Sequence, residues 1–415
     1  MREMKDSGIE WVGKIPNDWA IKPLYCFFSE RKNKNILGKE DNLLSLSYGK
    51  VIRKDINTNE GLLPSNYNGY NIVEAGDIVI RPTDLQNDQR SLRTGLVTER
   101  GIITSAYIAL KPLSNINSRF YHYLLHTYDT LKVFYNMGGG VRQGLSYDEF
   151  AKLKIYSPSS SEQQRIADFL DRECGKINSI AADIEKQIEI LEQYKRSVIQ
   201  TAVSRGLDYS VALGESKVKY VGSIPHHWEV KRGKYIFSYI QKPVKENDGV
   251  ITCFRDGEVT LRSNRREEGF TVSEKEIGYQ GIDVGDLIVH GMDGFAGAIG
   301  ISDSRGKASP VLNNLMTTHC KKYYMYYLRN MAYRGVFISL STGIRVRTCD
   351  TNWGKLREIY YAVPPLEEQQ AIADYLDKKC AEIDGVIADK KEQLDVLENY
   401  KKSVIYEYVT GKKEA

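Results

Sequence analysis

The sequence predicts an α+β protein: two domains of mixed α/β structure separated by two long antiparallel helices forming a coiled coil, the whole an internal pseudo-twofold repeat. Three observations predict it. Two separated stretches recur at nearly the same offset, each recurrence ends in a long run of helical apolar periodicity, and the segments between alternate β-branched with polar residues.

The repeat comes first, because it sets the architecture. Trp11-Val12-Gly13-Lys14-Ile15-Pro16-Asn17-Asp18-Trp19 returns as Tyr220-Val221-Gly222-Ser223-Ile224-Pro225-His226-His227-Trp228, 209 residues later. Glu162–Val203 matches Glu368–Val409 at an offset of 206, with 21 of 42 positions identical. Between these ends the copies agree in little except Gly76-Asp77-Ile78-Val79-Ile80 against Gly285-Asp286-Leu287-Ile288-Val289, and Gly140-Val141-Arg142 against Gly343-Ile344-Arg345. A duplicated framework with diverged contents presents two different surfaces in equivalent settings.

The elements follow in chain order. Residues 1–157 form a first domain, whose strands are marked by Asp77-Ile78-Val79-Ile80 and Ala106-Tyr107-Ile108-Ala109-Leu110, broken by Gly, Asn and Pro. Residues 158–212 carry the first long helix. It starts after Pro158 with a serine run suited to an N-cap and places Ile177, Ile184, Leu191 and Val198 seven apart, with Ile180, Ala181, Ile188 and Tyr194 filling the adjoining stripe. Residues 213–363 form the second domain, where Asp256-Gly257 marks a hairpin turn and the series Gly291, Gly294, Gly297, Gly300 a strand-turn-strand. Residues 364–415 repeat the helix with Ile383, Ile387, Leu394, Leu397, Tyr400 and Val404, although Lys390 stands where the first copy has Ile184. At about 1.5 Å per residue each helix is roughly 60 Å long, and two such stripes pack on each other.

Composition narrows the function classes. With 41% hydrophobic and 27% charged residues, a 415-residue chain is a globular protein of more than one domain. No stretch approaches the roughly 18 uncharged apolar residues of a membrane span, and MREMKDSGIEW lacks a secretory core, so no membrane is expected and the cytoplasm is the expected compartment. Cys26, Cys174, Cys253, Cys320, Cys349 and Cys380 show no metal-ligand spacing, and His122 with His126 on one helix lacks further ligands, so no metal is expected. Net charge is only +4. Residues 162–206 hold 7 basic and 8 acidic side chains and residues 367–413 hold 8 and 11, which leaves +8 on the non-helical blocks, where a phosphate backbone could use it.

Enzymatic signatures are missing. There is no G-x-x-x-x-G-K-[ST] loop, no G-x-G-x-x-G fingerprint, and no Asn or Asp before Pro-Pro-aromatic; Val363-Pro364-Pro365-Leu366 has neither end of that motif. Base reading requires Arg for guanine and Asn or Gln for adenine, and three polar segments supply them. In the first domain Arg81, Thr83, Gln86, Asn87, Gln89 and Arg90 follow a strand, with Arg93 just beyond; a plain solvated loop is the alternative. In the second, Arg255, Arg262, Asn264, Arg265 and Arg266 surround the Asp256-Gly257 turn, where some pair with acids such as Glu267 and Glu268. The third is the shared Gly-hydrophobic-Arg segment, with Arg142 and Gln143 in one copy and Arg345 and Arg347 in the other. The Tyr-rich run Lys321–Tyr327 reads as the buried face of a helix, and Glu162-Gln163-Gln164 with Glu368-Gln369-Gln370 as either a docking site or helix-start capping.

This order of motifs resembles the specificity subunit of type I restriction-modification systems, end to end. Its carriers are the G-x-IP-x-x-W opening of each half, the G-D-I/L strand of each domain, and the E-Q-Q-x-I-A-D-x-L-D start of each long helix. The resemblance implies that each domain reads one half of a bipartite site in double-stranded DNA and that the helices fix the unread spacer. It also implies that two methyltransferase subunits dock here and that restriction subunits join them. S-adenosylmethionine, ATP and Mg belong to those partners, and this chain carries no cofactor and no catalytic residue. Two other classes stay open at this point: a methyltransferase or nuclease with an unrecognised site, and a coiled-coil adaptor that binds proteins only.

Overall fold

A computed structural model describes residues 2–57, 66–83, 85, 92–113, 116–137, 144–265, 276–340 and 350–415. They gather into two units, one of Met1–Glu185 with Lys391–Ala415, the other of Lys186–Lys390. The long helices are therefore not separate bodies, since each gives one half to each unit.

In the first unit the strands are β1 (Phe28–Glu30), β2 (Leu44–Ser47), β3 (Lys50–Arg53), β4 (Ile78–Ile80), β5 (Thr94–Leu96) and β6 (Ile108–Pro112). They build an antiparallel sheet in the order β1-β6-β4-β5, with β2–β3 as a separate hairpin. The second unit repeats this with β7 (Ser238–Tyr239), β8 (Ile251–Cys253), β9 (Val259–Leu261), β10 (Leu287–His290), β11 (Ile299–Ile301) and β12 (Leu312–Met316), in the order β7-β12-β10-β11 with a β8–β9 hairpin. Both hairpins expected around Asp256-Gly257 and along the glycine series are present. The period of two decides the burial: Ile78 and Ile80 enter the main core of their unit and Val79 a smaller cluster on the opposite face, as do Leu287, Val289 and Ile288.

The G-D motif is a turn and an anchor. Gly76 and Gly285 take φ of +94° and +84°, a region that favours glycine, and the next residue is buried. Asp77 pairs with Arg31 and accepts the Glu74 N–H at 2.9 Å; Asp286 pairs with Lys242 at 2.6 Å and accepts from Asn314 at 2.8 Å. A buried carboxylate without such partners would be costly.

Four longer helices complete the units: α1 (Ser118–Thr130), α2 (Ser160–Arg205), α3 (Lys321–Tyr333) and α4 (Leu366–Val409). Ser159 caps α2 by accepting the Glu162 N–H at 3.3 Å, and Tyr323, Tyr324, Tyr326 and Tyr327 of α3 are buried, as its sequence pattern implies. In the first unit the two helix halves run antiparallel, with Phe169 stacked on Tyr408 at 4.1 Å and Lys401 donating to Asn178 at 2.8 Å. In the second, Lys195 bonds Asp384 at 2.7 Å and Lys390 bonds Gln187 at 2.5 Å, so Lys390 is a cross-helix partner within an unbroken α4. Ile180, Tyr194 and Tyr400 do not fill the seam as their spacing suggested: all three are exposed, because Ile177, Ile184, Ile383 and Ile387 already occupy it.

What ties domain to helix is the E-Q-Q segment. The Trp19 indole donates to Glu162 Oε2 at 3.0 Å and the Trp228 indole to Glu368 Oε2 at 3.0 Å. Gln163 accepts the Asn117 N–H at the head of α1 (2.9 Å) and donates to the Pro158 carbonyl (3.0 Å); Gln369 does the same with Cys320 (3.0 Å) and Pro364 (2.8 Å). The glutamate and the first glutamine of each segment are thus engaged internally, in a structural role. The opening and closing strands of each domain also pair, Ala20–Pro23 with Lys154–Ser157 and Glu229–Arg232 with Tyr360–Val363. At each helix end, Gly206 and Gly411 take φ of +72° and +68°, where a Cβ would collide with Glu368 and Pro16 respectively.

Glu162→Ala leaves the buried indole N–H without an acceptor and should destabilise the first unit by about 1–3 kcal/mol. Denaturation followed by tryptophan fluorescence should show an earlier transition for that unit, with Glu162→Gln intermediate and the second unit unchanged.

Candidate nucleic-acid interface

In each domain the connection after the central strand is bonded to a residue just beyond the Gly-hydrophobic-Arg segment. In the first domain the β4–β5 connection, residues 81–93, is stitched to the end of the Gly-Val-Arg segment by Leu145 N–H donating to the Pro82 carbonyl at 2.9 Å. In the second, Thr351 N–H donates to the Gly291 carbonyl at 2.7 Å, the equivalent bond in the repeat. Just beyond each stitch a short helix starts from a capping residue, Ser146 or Asn352. The sequence offered the two ends of each bond separately, and only the fold joins them.

Several candidates, Gln86, Asn87, Gln89, Arg90, Arg142, Gln143, Arg266, Arg345 and Arg347, lie outside the described residues. Of the others in the first domain, Arg81 and Thr83 are half-buried at the foot of the connection. Arg93 is a correction. It is 0% exposed, so it is no surface contact; its guanidinium donates to the Thr83 carbonyl, spanning the mouth of the connection, and lies 5.5 Å from the Tyr135 ring. Its own N–H and that of Thr94 (3.2 Å) are accepted by Asp129 at the end of α1. Burial pushes the Asp129 carboxyl up to about 6, against the opposing pull of those N–H groups, Lys132 and Arg93.

In the second domain the β8–β9 hairpin and the turn after β10 enclose a cleft of about 1070 Å³ lined by Thr252, Arg255, Arg262, Arg265, His290 and Asp293 among others. Arg255 is exposed and pairs with Asp293 at 2.9 Å; Arg265 pairs with Asp256 (2.5 Å) and Glu258 (3.0 Å) and lies 4.2 Å from the Phe254 ring. Arg262 reaches Thr252 at 3.4 Å and Asn264 reaches Thr260 at 2.9 Å. Among the described residues Asp293 holds Arg255, and Asp256 with Glu258 holds Arg265; Glu267 and Glu268 lie outside the described residues. Such exposed pairs are worth little and can be exchanged for phosphates at small cost.

Two side chains of potential chemistry, Cys253 and His290, line the cleft. Cys253 on its wall is buried, which pushes the thiol up to about 12, far from a thiolate nucleophile. The His290 Nδ1 beside it is occupied by backbone N–H groups of Met292 (3.2 Å) and Asp293 (3.0 Å). On α1 the His122 and His126 rings are 6.2 Å apart and burial lowers both, to about 3 and about 4; among the described residues no three His, Cys, Asp or Glu side chains converge as a metal would require. Nor, among them, is any helix long and apolar enough to cross a membrane.

Two prominent residues escaped the sequence reading. Tyr48, 86% exposed with φ +46°, tips the β2–β3 hairpin, whose Gly49 abuts Leu92 at the foot of the 81–93 connection. Met292, 61% exposed, tops the turn after β10. The signal for Tyr48 was present: Tyr48-Gly49 separates two alternating runs at the place where the second copy has Asp256-Gly257.

Compared with known proteins, residues 16–190 match the family described as the type I restriction modification DNA specificity domain. The chain is 23% identical to a protein of Methanocaldococcus jannaschii named for the MjaX type I restriction enzyme specificity subunit, over 97% of this chain and 95% of that one. A solved structure from work on complex assembly and conformational transition of a type I R-M system shares the fold, with a TM-score of 0.66 and 14% identity over 96% of this chain and 100% of that one.

The Asp129 carboxyl titrates above the 3.8 of an ordinary Asp, so its contribution is fully present below about pH 4 and is lost as pH rises through about 6. The stability of the first unit, measured by denaturation from pH 4 to 8 relative to Asp129→Asn, should decline over that window; a flat difference counts against the buried, protonated carboxyl.

Proposed function

We propose that this chain, whose residues 16–190 match the type I restriction modification DNA specificity domain, reads a bipartite, asymmetric DNA site, one half per domain, and performs no bond-making itself. The observation that carries this reading is the repeated stitch, Pro82 to Leu145 and Gly291 to Thr351, which ties the connection after the central strand to the same point of the chain in both domains while the residues of the two connections differ. Equivalent frames with unlike contents suit two unlike half-sites. Arginines held by exposed carboxylates at the cleft rim supply exchangeable phosphate contacts, and amide and guanidinium groups of the connections supply base contacts. The two long helices fix the length of the unread spacer.

The same duplication supports docking of two identical methyltransferase subunits. Ile180 and Val386, Ile190 and Val396, and Tyr194 and Tyr400 are equivalent positions at the 206-residue offset, and all six stay exposed on their helices. Apolar side chains left in water at matched positions suit one partner surface used twice. S-adenosylmethionine, ATP and Mg are placed on the partners, with restriction subunits joining the complex. The cytoplasm, where the DNA lies, is the compartment.

Genome-wide adenine methylation, mapped with and without the gene for this chain, should reveal a two-part motif with a fixed gap that loses its methyl groups on deletion. Exchanging residues 1–155 for those of a relative should change one half of the motif only. Unchanged methylation in a cell with an active partner methyltransferase would falsify the assignment and favour a protein-binding adaptor. Tyr194→Glu or Tyr400→Glu should each reduce the bound methyltransferase from two copies to one in native mass spectrometry of the co-expressed complex, and the double variant should retain none.

A further inference from the structure

We propose that His290 is the positioning residue of the second domain's DNA-contacting turn, a role that rests on the reading of this face given above. β10 ends at His290, and the ring folds back over the chain that follows. Its Nδ1 accepts the backbone N–H groups of Met292 at 3.2 Å and Asp293 at 3.0 Å. Those bonds set the turn that lifts Met292 into solvent and aims Asp293 at Arg255, 2.9 Å away across the rim of the cleft. The backbone of His290 is pinned on both sides: its N–H donates to Ala298 at 3.0 Å and its carbonyl accepts from Thr351 Oγ1 at 2.8 Å. With the main chain held, the imidazole decides the shape of the turn.

Accepting two N–H groups at Nδ1 requires the neutral ring, because a protonated Nδ1 presents a hydrogen to both donors. The charged and titratable groups facing it are Asp293 of its own turn, Cys253 of β8 and Arg255 of the hairpin turn that follows it. Burial, then Arg255, disfavour the imidazolium, while Asp293 favours it; the balance holds the ring below its ordinary range. Acidification therefore opens the turn and releases the Arg255–Asp293 rim. The first domain has Arg81 at this position, and its connection is clasped by Arg93 and Thr83 instead, so this imidazole-dependent turn belongs to the second domain alone.

The test uses the chain co-expressed with its methyltransferase and duplexes carrying the mapped motif with single base changes in either half. His290→Ala should lower discrimination against wrong bases in the second half by about tenfold, the scale of one base contact, and leave the first half unchanged. His290→Asn retains a side-chain acceptor for the same turn and should restore discrimination. As pH falls below the ordinary imidazole value of about 6.5, the wild type should lose second-half discrimination while His290→Asn holds it. Equal behaviour of the Ala and Asn variants, equal loss at both halves, or the same pH profile for wild type and His290→Asn overturns the role. A wild-type complex with no two-part preference overturns the underlying reading, and is distinguished by failing before any variant is compared.

Discussion

A buried indole must give its N–H to an acceptor, and in both copies of this repeat the acceptor is a glutamate on a different element. Trp19 and Trp228 sit at the opening of their domains; Glu162 and Glu368 sit in the first turn of the long helices. The bond makes the start of the domain and the start of the helix one object. The paired opening and closing strands reinforce it, because the chain can enter the helix only from the strand that lies beside the tryptophan. The adjoining glutamine extends the same junction to α1 or α3, so three elements are fixed by two consecutive residues.

From this constraint the division between frame and contents follows. Positions that repeat in the sequence are those that close the junction, turn into β4 or β10, or end a helix: Trp, Glu-Gln, Gly-Asp, and the terminal Gly. Positions that diverge include the exit of the central strand, where Arg81 stands in one copy and His290 in the other. The connection after the central strand illustrates the freedom. It runs from residue 81 to 93 in the first copy, clasped by a buried arginine, and from 291 to 298 in the second, folded around an imidazole. Two solutions with different side chains preserve the same backbone stitch to the segment that follows.

Much of the fold was legible because its determinants are local or repeated. Alternation marked the strands at Ile78–Ile80 and Ile108–Leu110, Asp256-Gly257 marked a hairpin, and heptad spacing marked both long helices. The site was less legible. Arg93 reads as one more arginine in a polar loop, and nothing nearby in the chain says that Asp129, thirty-six residues on, draws its backbone into the interior. Ile180, Tyr194 and Tyr400 fit an apolar stripe by spacing alone, yet a two-helix seam has room for a narrower stripe than a helix packed in a core. Tyr48 was overlooked because its turn uses an aromatic residue at φ +46° in place of the usual Asn or Asp.

By itself the sequence determined the duplicated α+β plan, the order of its elements and the family it resembles, since repetition, periodicity and turn chemistry are written in residues near one another. The tertiary structure alone decided which arginines are surface groups and which are struts. It also decided which apolar helix positions face water, and that the connection after the central strand of each domain is bonded to a point some sixty residues further on. Those outcomes depend on pairs such as Arg93 with Asp129, Arg265 with Asp256, and Pro82 with Leu145. Burial and hydrogen bonding are properties of what a residue meets in space, and for groups far apart along the chain that meeting is made only by the packed fold.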